Sequence, residues 1–159
     1  MKTAAYDTDF YAWAEEQAAL LRAGRLADAD IEHIAEEIET MGRAEKRELV
    51  SRLTVLLLHL LKWRYQPNLR GRSWRLTIKE QRKEVLNHLA DNPSLRSKTD
   101  EAMAAAYDLA ILKAAKETAM DEDEFPAACT NSFPRYHRLI YSPHKRPSLP
   151  MRQRKANHT

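Results

Sequence analysis

The densest apolar stretch of the chain is residues 49–65, LVSRLTVLLLHLLKWRY. Leu49, Leu53, Leu56, Leu57, Leu60 and Leu61 fall mostly at steps of three and four, which places them along one face of a helix. Val50, Leu58 and Trp63 widen that face until little of it is polar. A helix apolar on most sides must be surrounded by other elements, so this stretch predicts the central helix of a small bundle.

Four further amphipathic segments surround it. Residues 9–23 carry a stripe of Phe10, Trp13, Ala14, Gln17, Leu20 and Leu21, with Thr8 or Asp9 as the cap and Gly24 just beyond the end. Residues 28–41, capped by Asp28 or Asp30, predict a second helix that buries Ile31, Ile34, Ala35, Ile38 and Met41. The link at 24–27 is short enough to make these two an antiparallel pair. The central helix then starts near Gly42 or Arg43, with Gly42 either a turn or a kink, and stops before Pro67. After the loop 67–73, Ser73 caps a fourth helix reaching Ala90, with Trp74, Ile78, Val85, Leu86 and Leu89 inward. Asn92-Pro93 ends it. A fifth helix, from Ser94 or Ser97 to Met120, carries Met103, Ala106, Tyr107, Ala110, Ile111 and Ala114, and its alanines permit close approach to the central helix.

The fold class is therefore all-α: a single bundle of about five helices with a long central helix. Residues 1–128 form the helical domain. From Cys129 the apolar period stops; 129–159 hold seven Lys/Arg, no acid and four prolines, the composition of a disordered tail outside the core.

Composition supports this. The 159 residues suffice for one domain with a real core, and only three are glycine. A single cysteine excludes an internal disulfide and a cysteine-rich zinc site. The acid-containing start lacks the apolar run of a secretion signal, and no aliphatic run approaches the about 20 residues of a membrane span, so the expectation is a soluble cytoplasmic protein. The net charge of +3 hides blocks of −6 (1–48), +8 (49–98), −6 (99–128) and +7 (129–159). Blocks of opposite sign in one small domain are expected to neutralise each other across helix faces.

Several motifs in fixed order resemble a bacterial family, domain of unknown function 29: DFYAW (9–13), EEIETMGRAEKREL (36–49), LLLHLLKWRYQP (56–67), SWRLTIKEQR (73–82) and NPSLR (92–96). The resemblance covers about 6–129. It implies an all-helical fold and no activity. Members usually continue after the Phe125, Pro126, Cys129 element into a short acidic segment with leucines, whereas this chain turns basic. A shifted reading frame near Thr130 and genuine divergence both account for that departure.

Candidate chemistry is sparse. Asp30 with His33, His33 with Glu36 or Glu37, and Glu84 with His88 have helical ligand spacing, but none repeats as the paired elements of a metal-binding bundle, and they fit a solvated charged face. No cofactor is implied, since three isolated glycines make no phosphate loop or dinucleotide fingerprint. His59, inside the leucine face, reads as a buried polar residue hydrogen-bonded to Glu37 or Tyr107. An acid–base or metal role for His59 with the second helix's carboxylates is the alternative, which would make the protein an enzyme or metal binder. The strongest surface signal is the run at the central-to-fourth helix junction. There Lys62, Arg64, Arg70, Arg72, Arg75, Lys79, Arg82 and Lys83 are interleaved with Trp63, Tyr65 and Trp74. Such a surface can grip phosphates and stack on bases, or meet a protein partner. The competing reading has Trp63 and Trp74 capping the core while Arg75 and Arg82 pair with acids of other helices. The preferred function class is a non-enzymatic binding module acting through this junction on a protein partner, or on nucleic acid with low affinity.

Overall fold

The structure, a computed structural model, describes residues 6–127. The basic tail after Cys129 lies outside the described residues. Within them the chain forms four α-helices and short 3-10 turns, with no strand: α1 (Phe10–Arg22), α2 (Ile31–Tyr65), α3 (Arg72–Asp91) and α4 (Thr99–Thr118). No helix among them is long and apolar enough to cross a membrane.

The expected count of five becomes four because Gly42 neither turns nor interrupts the chain. The predicted second and third helices are one continuous helix of 35 residues. A mid-helix glycine costs about 1 kcal/mol against alanine, too little to break a helix with good formers on both sides. The other boundaries follow local signals. Asp9 caps α1 by accepting the Ala12 N–H at 3.0 Å, and Asp30 caps α2. Gly24, at φ +68°, takes the left-handed conformation that ends α1. Pro67 and Pro93 close α2 and α3 and open 3-10 turns. Ser73 is not the cap of α3: that helix begins one residue before it, behind Gly71, with no side-chain cap.

The core lies in the second half of α2. Leu49, Leu53, Leu57 and Leu61 are fully buried against Val85 and Leu89 of α3 and against Ala102, Met103, Ala106, Tyr107, Ala110 and Ala114 of α4. The α4 alanines recur every four residues, so their small side chains line one seam and bring α4 close against α2, as the sequence predicts. Beyond α4 the turn Glu122–Glu124 folds back. Phe125 is buried edge-on against Tyr65 at 5.2 Å between ring centres, and the Tyr107 hydroxyl donates to the Pro126 carbonyl at 2.7 Å.

Length explains where this core stops. At about 1.5 Å per residue α2 is roughly 52 Å long, while α3 and α4 are roughly 30 Å. Both shorter helices meet α2 at the same level. His88 of α3 bonds the Glu45 carbonyl at 2.8 Å, and Glu101 of α4 bonds Lys46 at 2.6 Å. Residues 31–44 therefore project as an arm. The predicted buried stripe of the second helix is wrong for this reason: Ile31, Ala35, Ile38 and Met41 are exposed and only Ile34 is half-buried. α1 covers one flank of the arm through Trp13 and Gln17, which are buried, while Phe10 and Leu21 of its predicted stripe stay exposed.

Leu57→Ala is expected to cost about 2–5 kcal/mol in a urea titration, since its seat is filled from three helices. Wild-type stability for this variant would place the core elsewhere.

Candidate binding surfaces

Three groups of polar side chains stand out, and the single long helix decides how they relate. His59 is half-buried, and its Nδ1 lies 2.9 Å from the Val55 carbonyl one turn back in its own helix. The partners expected for it are engaged elsewhere: Glu37 accepts from Tyr6, and Tyr107 donates to Pro126. Glu37 and His59 also sit on one unbroken helix, twenty-two residues and roughly 33 Å apart. The pairing of His59 with the carboxylates of the former second helix is thereby overturned as one site.

The junction divides into occupied and open cations. Lys62 bonds Glu117 of α4 at 2.6 Å, and its ammonium lies 4.7 Å from the centre of the Trp74 ring. The Arg70 Nε donates to the Trp63 carbonyl at 2.6 Å while its guanidinium lies over the Trp63 ring at 5.4 Å. Arg64 lies over Tyr65 at 5.7 Å. Arg82 is half-buried, and that burial lowers its pKa. Cations over aromatic faces are electrostatically favourable, and they cover ring faces on which a base would stack. Arg72, Arg75, Lys79 and Lys83 are different. They recur at steps of three and four along α3, all are exposed, and no ion pair holds them among the described residues. The proposed pairing of Arg75 with acids of other helices is not found. Pairs between blocks of opposite sign run instead through Lys62–Glu117 and Arg52–Glu48; Arg52–Glu84 lies within the basic block, and Lys46–Glu101 joins the two acidic ones.

The third group fastens α1 to the arm. The Asp30 carboxylate accepts from the Trp13 indole N–H at 3.2 Å and from the His33 ring at 2.7 Å, and the Asp30 backbone N–H donates to the Gln17 amide oxygen at 2.8 Å. The Tyr6 ring stacks on His33 at 4.2 Å and its hydroxyl donates to Glu37, a bond that raises the phenol to about 12. The bond to Asp30 raises the His33 pKa, and the same bond lowers that of Asp30. Sequence spacing selects Asp30 and His33 as a metal candidate; their observed role is to hold Trp13. Glu84 and His88 diverge, toward Arg52 and the Glu45 carbonyl respectively. No cluster of three His, Cys, Asp or Glu side chains among the described residues is placed to hold a metal ion. The sequence places Trp13 in the inward stripe of the first helix, where it is buried, but its bond to Asp30 and the part of Tyr6 are absent from that reading. The rest of α1 and the link after it separate Tyr6 and Trp13 from Asp30 and His33 along the chain, so no local signal marks the contact.

The arrangement defines a small all-α bundle built on one overlong helix, with a cationic face on α3 and a tethered first helix. The family model "Domain of unknown function DUF29" matches residues 5–137, and the chain belongs to that family. No curated protein and no solved structure matches it.

The tether should respond to pH. His33 is raised, so its stabilising charge is complete below the ordinary value of 6.5 and is lost as pH rises through the raised value. Asp30 is lowered, so its contribution holds above 3.8 and is lost as pH falls through the lowered value. α1 is therefore held most firmly in mildly acid solution and loosens as pH rises through the raised His33 value. The Trp13 indole proton resonance should follow this course, and His33→Gln should abolish its alkaline limb. An indole resonance unchanged from pH 5 to 9 would show that His33 does not hold α1.

Proposed function

We propose that this protein is a non-enzymatic interaction module that uses the exposed face of α3 to bind an acidic surface on a protein partner. The observation that carries the reading is the row Arg72, Arg75, Lys79 and Lys83, exposed and without ion pairs among the described residues although acids are plentiful elsewhere on the domain. Uncompensated like charges in a row repel one another and attract an opposite surface, and they speed its encounter. Lys62 over Trp74 and Arg70 over Trp63 favour a protein partner over single-stranded nucleic acid, because stacking platforms for bases need accessible rings. Glu80 and Glu84 on the same helix also disfavour a continuous phosphate track.

The test compares the full chain with an Arg72→Glu, Arg75→Glu, Lys79→Glu variant, using polyglutamate and a single-stranded oligonucleotide as probes. The seven cations beyond Cys129 are common to both proteins, so the difference reports on α3. Polyglutamate affinity is expected to fall at least about tenfold in the variant, with its melting temperature preserved, because exposed sites contribute little to stability. Oligonucleotide binding is expected at or above about 10 μM near physiological salt, the non-specific range. Tight, sequence-dependent oligonucleotide binding that the variant loses would transfer the surface to nucleic acid. Equal polyglutamate binding by both proteins would remove α3 from the function.

A further inference from the structure

The outer side of α3 carries more than charge. Arg72, Leu76, Lys79 and Lys83 follow one another at steps of four, three and four, so they share one side of the helix, with Arg75 beside them. Leu76 is 47% exposed, with a cation one turn before it and another one turn after. Within a turn of it in either direction stand Arg72, Arg75 and Lys79 against one acid, Glu80. No acid in the first turn of the helix offsets Arg72 and Arg75. The face is thus an apolar centre with a basic surround.

We propose that this face takes a short acidic segment of a partner protein that carries one apolar side chain among its acids. The apolar group seats on Leu76, and the acids meet Arg72, Arg75, Lys79 and Lys83. The inference rests on the reading of α3 given above and names the chemistry of the partner. The cations decide the sign of the occupant. Leu76 decides the rest, because charges at a rim speed encounter while an apolar centre from which water is excluded holds what has arrived. From Arg72 to Lys83 the row is roughly 16 Å long at about 1.5 Å per residue, which about five residues of extended chain span. A phosphate backbone has no use for a leucine at the middle of its track. An anionic membrane surface asks for a broader apolar face than one leucine with Glu80 beside it.

An NMR titration of the full chain with the peptides EELEE and EESEE tests it, because the α3 amide resonances report binding there separately from the basic tail. EELEE is expected to bind α3 about tenfold tighter than EESEE, the effect of seating one leucine side chain. Leu76→Ser should bring the two peptides within about twofold of each other. Its melting temperature should hold, since the site is half exposed. Added salt should weaken both peptides and keep their ratio, because screening acts on the charges alone. Equal binding of the two peptides by the wild-type protein would overturn the inference and leave the acidic-surface reading standing. So would a preference that survives Leu76→Ser. Phosphatidylserine vesicles that broaden the α3 resonances while neither peptide shifts them would assign the face to a membrane. Peptide binding at α3 unchanged in the Arg72→Glu, Arg75→Glu, Lys79→Glu variant would remove the inference and the reading beneath it together.

Discussion

Everything in this fold depends on a mismatch of lengths. One helix continues through Gly42 for 35 residues, and the two helices that pack on it have 20 each. A bundle can bury only what its shortest members reach. The leucines from 49 to 61 are reached and the isoleucines from 31 to 38 are not, although both sets have helical period and similar hydrophobicity. Burial here is decided by which neighbour is present at that height along the axis, and pattern alone cannot supply that.

Within the covered half, side-chain size sets the spacing. Alanines at 102, 106, 110 and 114 let α4 come close to α2, so leucines on one helix fill the shallow surface of the other. The seam is closed at one end by Phe125 against Tyr65 and at the other by Lys46–Glu101 and the His88 contact with Glu45. The ion pairs are partly exposed and contribute little to stability on their own. Their value to the structure is register, since each fixes which turn of α2 faces which turn of its neighbour. The α3 cations are left on a flank that this pairing does not reach.

The sequence made the central helix, the alanine seam, the caps at Asp9 and Asp30 and the family legible, because each depends on local spacing or residue type. It misled where tertiary height mattered. Gly42 has the same one-letter signal whether it turns the chain or rides inside a helix. Ile31 and Ile38 have the same period whether a neighbour covers them or not. At the junction the cationic run was visible, but sequence could not separate Lys62 and Arg70, which lie over tryptophan rings, from Arg72, Arg75 and Lys79, which face water. His59 drew interest as a polar residue in an apolar face, and its requirement is met by a carbonyl four residues back. The tether of Trp13 to Asp30 needed two elements brought together in space, and no single window of sequence holds both.

The end of the cover at Glu45 also divides the molecule thermodynamically. The arm and the bundle share one helix but not one core, and Gly42, the weakest link in helix propensity, sits three residues before the boundary. Opening the arm back to Gly42 exposes few buried contacts, whereas opening the helix beyond Leu49 means dismantling the leucine core. Within one unbroken run of backbone hydrogen bonds, amide protection should therefore rise in a step: low from Ile31 to Gly42 in the single chain, and near the global unfolding limit from Leu49 onward. A continuous helix is thus two cooperative units joined end to end.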